Sequence, residues 1–273
     1  MPARSPDTLL ADLRRRIAAI EADGTPRPPL PERSVMIPLG PPRLDEALGG
    51  GLIAGSLNEA VPRTIGDIGA AFGFALALAA RAVAIRGAGA LFHIHEELAA
   101  REAGALYPAG LEAFGLAPQA LLSLTVRRRA DLLLAMEEAL KCRALACVIG
   151  EAFPDRRGIG LTASRRLALA AKAGGSLGLL VRAPGSVAPS AAVTRWEIEA
   201  GPSRSDAFGG LGAPALVVHL VRSKLGRTGS WRLEWSLHDR VFAETEVSRP
   251  LAASPPHRPD RAREASARQS RMA

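Results

Sequence analysis

The sequence predicts an α/β fold with a mostly parallel central sheet, helices on both faces and an antiparallel C-terminal extension. Three observations carry this. Short aliphatic runs alternate with longer stretches of helical period through the middle of the chain, which is the pattern of right-handed strand–helix–strand crossovers. Apolar residues make up 48% of the 273 positions but aromatics only 4%, so the core is aliphatic, as suits helices packed on a buried sheet. The last apolar segments follow one another with turn residues and no helix between them, which favours antiparallel pairing.

Taken in order, residues 8–22 repeat Leu9, Leu10, Leu13, Ile17 and Ile20 at helical spacing behind Asp7, a suitable N-cap, and predict a short amphipathic helix. Residues 23–34 are proline-rich and read as an extended linker. Residues 42–48 predict a turn and short helix. Strands are expected at 56–61, 90–95, 121–126, 145–149 and 177–181, and helices at 68–85, 129–141 and 162–173. Segments 193–200, 215–222 and 230–237 form the expected antiparallel part. Residues 248–273 hold four prolines and six arginines against Asp260 and Glu264, with almost no large apolar side chains, and predict a disordered basic tail. The division is therefore an N-terminal helix and linker (1–35), one α/β domain (36–247) and the tail (248–273).

The net charge is +8, yet the chain holds only three lysines, Lys141, Lys172 and Lys224. None follows a glycine, so the Gly-Lys-Ser/Thr of a standard phosphate-binding loop is excluded. The two cysteines, Cys142 and Cys147, have no second pair to complete a zinc site and suit a reduced compartment. Residues 1–22 are broken by charges and lack a signal-peptide core. The longest apolar run, 70–80, is about eleven residues, too short to span a bilayer. A cytoplasmic protein without a membrane segment is expected.

The most informative stretch is 37–82. Leu44, Asp45, Leu48, Gly49, Gly50, Gly51 and Leu52 precede Gly55, a strand containing Glu59, a loop and a long helix. This resembles the RecA-like ATPase core, in which a Leu-Asp-x-x-Leu-Gly-Gly-Gly-Leu element leads into the first strand and its P-loop. The resemblance places the degenerate loop at Pro62, Gly66, Asp67, Ile68 and Gly69, with Asp67 at the glycine position, Ile68 at the lysine and Gly69 at the hydroxyl residue. Isoleucine cannot neutralise phosphate charge, glycine cannot ligate magnesium, and an aspartate repels an anion at a helix N-terminus. Asp67 is expected to cap its own helix instead. No nucleotide, metal or other cofactor is implied.

Three other groups bear on chemistry. Glu96 falls near the position of the water-activating glutamate in RecA-like enzymes, but with no phosphate ligands beside it. His93 and His95 share a strand face by two-residue alternation and reach toward a metal site with Glu97, or form a polar cluster at the sheet end. Glu151 falls one residue after the expected acid of the Walker-B-like strand 145–149.

The body, residues 39–242, resembles the ImuA family of inducible-mutagenesis proteins. The resemblance rests on the 44–52 element, the degenerate loop, the run from Arg166 to Gly175 before strand 177–181, and above all the Gly226 to Trp235 closing element, a Gly-x-x-Gly-x-Trp pattern. It implies a non-catalytic accessory protein of SOS-induced translesion DNA synthesis. The implied partners are ImuB, which is a Y-family polymerase relative, an error-prone C-family polymerase, and RecA. Two alternatives stand beside it: a SulA-like division inhibitor binding a cytoskeletal GTPase, and an atypical ATPase using Arg63 and Thr64. Partner or phosphate contacts are expected at Arg127, Arg128 and Arg129, the densest basic run of the body, and at Trp231 and Arg232. DNA contact stays an open alternative; Trp231 and Trp235 read either as a stacking platform or as two core-facing residues on one strand.

Overall fold

The computed structural model describes residues 35–245 apart from 88, 105, 153–157, 187, 204–209 and 211. The expected helix 8–22, its linker and the tail 248–273 lie outside the described residues. In chain order the elements are β1 (Met36–Ile37), α1 (Pro42–Leu48), β2 (Leu52–Ile53), β3 (Leu57–Pro62), α2 (Ile68–Arg86), β4 (Ala90–Glu96), α3 (Glu97–Ala103), α4 (Pro108–Phe114), β5 (Leu121–Val126), α5 (Arg129–Lys141), β6 (Leu145–Glu151), α6 (Leu161–Gly174), β7 (Leu177–Val181), β8 (Thr194–Ala200), β9 (Ala215–Ser223), β10 (Gly229–Ser236) and β11 (Val241–Glu244).

Among the described residues, nine strands form one sheet in the order β11-β10-β9-β8-β3-β7-β6-β4-β5. Strands β8, β3, β7, β6, β4 and β5 pair in parallel, and β9, β10 and β11 extend the sheet antiparallel. The central strands β3, β6 and β7 are buried at every position, which is why their sequences run apolar rather than alternate. On one face, α2 packs over Ala60, Cys147, Ile149 and Leu179. On the other, α5 and α6 pack over Leu57, Ile94, Val148 and Leu180. This is the α/β architecture the sequence predicted, consistent with a RecA-like core.

The Leu-Asp-x-x-Leu-Gly-Gly-Gly-Leu element is a packing device. Leu44, Leu48 and Leu52 are fully buried. The Asp45 carboxylate accepts the N–H groups of Leu39 (2.7 Å) and Gly40 (3.0 Å), tying α1 to the chain before it. Gly51 has φ +126°, and a Cβ there would lie 2.3 Å from the Ile37 carbonyl oxygen, so only glycine fits where β2 meets β1. The closing element uses the same logic: a Cβ on Gly226 would stand 2.2 Å from the Ala47 oxygen at the end of α1.

Three expectations are corrected. Segment 193–200 is expected in the antiparallel extension; β8 does pair antiparallel with β9, but on its other side it lies parallel to β3, with Arg195 beside Glu59. The link from β7 to β8 therefore crosses β3, and its described residues hold no helix, so no helical period marks the crossover. The apolar run 70–80 sits inside a helical stretch, Ile65–Arg86, that is long and apolar enough to cross a membrane. Gly73 does not interrupt it. Here it serves as the central helix, with Ala71, Phe74, Leu78 and Ala82 among its buried residues. Finally, α3, α4, β1, β2 and β11 are short elements that periodicity did not reveal.

Candidate functional site

The loop between β3 and α2 is closed by its own side chains. Asp67 does not cap α2 through its side chain; it turns back, and its carboxylate accepts the Thr64 N–H at 3.0 Å and the Thr64 hydroxyl at 2.6 Å. Its other oxygen accepts the N–H of Ala200, at the end of β8, at 2.9 Å. The Thr64 hydroxyl and the Ala200 amide hold its carboxyl below the usual aspartate range. Arg63 forms an ion pair with Glu199, and Glu199 also accepts from His219 at 2.9 Å. His219 in turn contacts the Ser230 hydroxyl at 2.7 Å. The His219 and Arg63 contacts keep the Glu199 carboxyl low as well. Pro62 is buried at the end of β3, whereas Gly66 and Gly69 are exposed. Ile68 opens α2, half-buried.

A depressed carboxylate contributes stability above its unfolded pKa and loses it as pH falls through the lower folded value. The contribution of Asp67 is thus present above about pH 4 and lost below it. Urea midpoints measured down an acid series should fall less steeply in Asp67→Asn than in the parent chain; parallel curves would dismiss the Asp67 contacts.

Strand β4 ends in a polar cluster. His93 and His95 do share a face, their rings stacked 4.6 Å apart. The partner of His93 is Glu151, at 3.2 Å, while Glu97 pairs with Arg101 at 2.6 Å and lies 3.7 Å from Arg127. No group of three His, Cys, Asp or Glu positioned for a metal occurs among the described residues. Burial, then the charge of His93, pushes the His95 pKa down, and its Nε2 contacts the Thr125 hydroxyl at 2.9 Å. Glu96 is buried and chelated by Arg129 through two contacts of 2.6 and 3.1 Å. Glu96 and Glu151, at the ends of neighbouring strands, are both engaged by neighbouring side chains.

The basic run separates into three roles. Arg129 is the buried partner of Glu96, its side chain 17% exposed, so it is not a free surface contact. Arg128 forms two 2.9 Å bonds to Asp131 and stays exposed. Arg127 is the most open, its side chain 88% exposed. Of the two tryptophans, Trp235 is buried against Phe114 and Phe242, and Trp231 packs on the core 6.3 Å from Trp196. Their alternation turns both toward the core, Trp235 fully and Trp231 in part. Arg232 and Trp231 border an open depression with Arg43 and Glu244.

Sequence reasoning missed one network. Glu59, 1% exposed, accepts Arg182 (2.7 Å), Arg195 (2.8 Å) and the Ser190 hydroxyl (2.7 Å). Arg182 also donates to the Ile159 carbonyl and Arg195 to the Ala188 carbonyl. The network straps Arg182, Ser190 and Arg195 to β3 on the way from β7 to β8. The available signal was Glu59 beside Asn58, two polar side chains in a strand whose other residues are apolar. Cys142 is exposed, and Cys147 is buried with its thiol pKa pushed up by desolvation, the opposite of an activated nucleophile.

No protein-family model matches the chain. Two curated proteins do: "Protein ImuA" of Caulobacter vibrioides strain NA1000 / CB15N and of strain ATCC 19089 / CIP 103742 / CB 15. Each is 33% identical over 215 residues, covering 73% of this chain and 83% of the relative. With the glycine-rich packing element, the Gly226 turn and the closed loop already in place, this identity is decisive: the chain belongs to the ImuA family.

Proposed function

We propose that this chain is a non-catalytic, cytoplasmic accessory protein of SOS-induced mutagenic translesion DNA synthesis, assembling with ImuB, an error-prone C-family polymerase and RecA. Membership of the ImuA family supports the system; the closed loop supports the non-catalytic part. A nucleotide-binding loop offers free N–H groups and a cation to an anion. In this chain a carboxylate supplied by Asp67 takes the Thr64 and Ala200 amides, and Arg63 is neutralised by Glu199. A RecA-like core of this kind can present its surfaces without a hydrolysis cycle. Arg127 and Arg128 are the partner contacts of the basic run.

Titration with a labelled ATP analogue and magnesium is expected to give no binding at micromolar concentration. Binding lost in Arg63→Ala would instead establish the atypical ATPase. Recovery of ImuB or RecA with the tagged chain from DNA-damaged cells tests the partners; recovery of neither removes the assembly reading.

A further inference from the structure

We infer that β5 is a self-association edge, at which two copies of this chain pair β5 with β5, antiparallel, across a twofold axis at Ser123. Strand β5 pairs with β4 on one side only, in unbroken register from Leu121 to Val126, and closes the sheet. Edge strands usually carry a charge, a proline or a bulge that blocks further pairing. The Leu-Leu-Ser-Leu-Thr-Val sequence of β5 has none of these, and residues 122–125 are exposed on both faces. Leu122 is 52% exposed and Leu124 38%. The opposite edge, β11, is four residues long and carries Glu244.

The second copy fits because the strand is complementary to itself. Residues directly opposite in an antiparallel pair share a face. With Ser123 on the axis, Leu122 of each copy stands opposite Leu124 of the other, and Leu121 opposite Thr125. Four leucines then cluster on the face covered by α5, where β4 already contributes Phe92 and Ile94. The cations fall outside the contact: Arg127 comes opposite Gln119, so no like charges meet. The area is that of one strand edge and two leucines a side, in the weak class below about 1,200 Å². The dimer is therefore concentration-dependent rather than obligate.

Sedimentation of the full chain across the micromolar range is expected to show a monomer–dimer equilibrium. L122K or L124E, each at an exposed site, should weaken it by at least about tenfold. The double variant L122K/L124E places opposite charges across the axis in both directions and should restore it. In a Cys142→Ser background, Ser123→Cys should form a disulfide-linked dimer under mild oxidation, whereas Leu122→Cys should not. A monomer at every concentration, a dimer indifferent to L122K, or failure of the double variant to recover overturns the proposal, and each is independent of the assembly with ImuB or RecA.

Discussion

Replacing Glu59 by alanine is expected to lower the unfolding free energy by about 3–5 kcal/mol, the cost of leaving buried charges without their partner. Arg182 is 3% exposed, and the side chain of Arg195 is 12% exposed. Both guanidinium groups would be left largely buried without their carboxylate, and Ser190 loses its acceptor at the same time. Glu59→Gln keeps an oxygen for Ser190 but removes the charge, so its loss should be smaller and still well above that of a surface change. Urea unfolding followed by circular dichroism gives the comparison. A cost below about 1 kcal/mol for Glu59→Ala would mean that the strap is held by packing alone.

Trp235→Ala is expected to cost about 3–5 kcal/mol, the range for truncating a buried aromatic side chain. Trp235 is 1% exposed and sits between Phe114, with ring centroids 5.6 Å apart, and Phe242, at 5.1 Å. Its indole N–H is buried with no acceptor among the described residues. Trp235→Phe removes that unpaired donor while keeping most of the apolar contact, so it should cost far less than the alanine variant. Trp231→Ala, at a half-buried position, should fall near 1 kcal/mol. The reverse pattern, weakened binding to single-stranded DNA with full stability in both alanine variants, would revive the stacking platform.

Much of the architecture is written locally. The strands 121–126 and 177–181 and the helix 129–141 coincide with their expected bounds, because each is a run of one periodicity closed by turn residues. The 44–52 element was legible for the same reason: its leucines, aspartate and glycines act within a few residues of one another. The short helices α3 and α4 were not: α1, equally short, is marked by its buried leucines and the glycines that stop it, whereas α3 and α4 offer only seven residues of weak periodicity. The direction of β8 was not either, because a parallel crossover usually announces itself by a helix and this one is a strapped extended segment.

By itself, the sequence determined the fold class, the presence of the 44–52 element and the lack of a Gly-Lys pair for phosphate. It could not say what Asp67 does, whether Glu59 is alone, or which arginine of 127–129 remains open. Those answers join Asp67 to Ala200, Glu59 to Arg182 and Arg195, and Glu96 to Arg129. Each partner arrives from a distant part of the fold, 33 to 136 residues away along the chain. Periodicity records only which face a residue takes; the meeting of two such faces is decided by sheet order, and that exists only once the chain has folded.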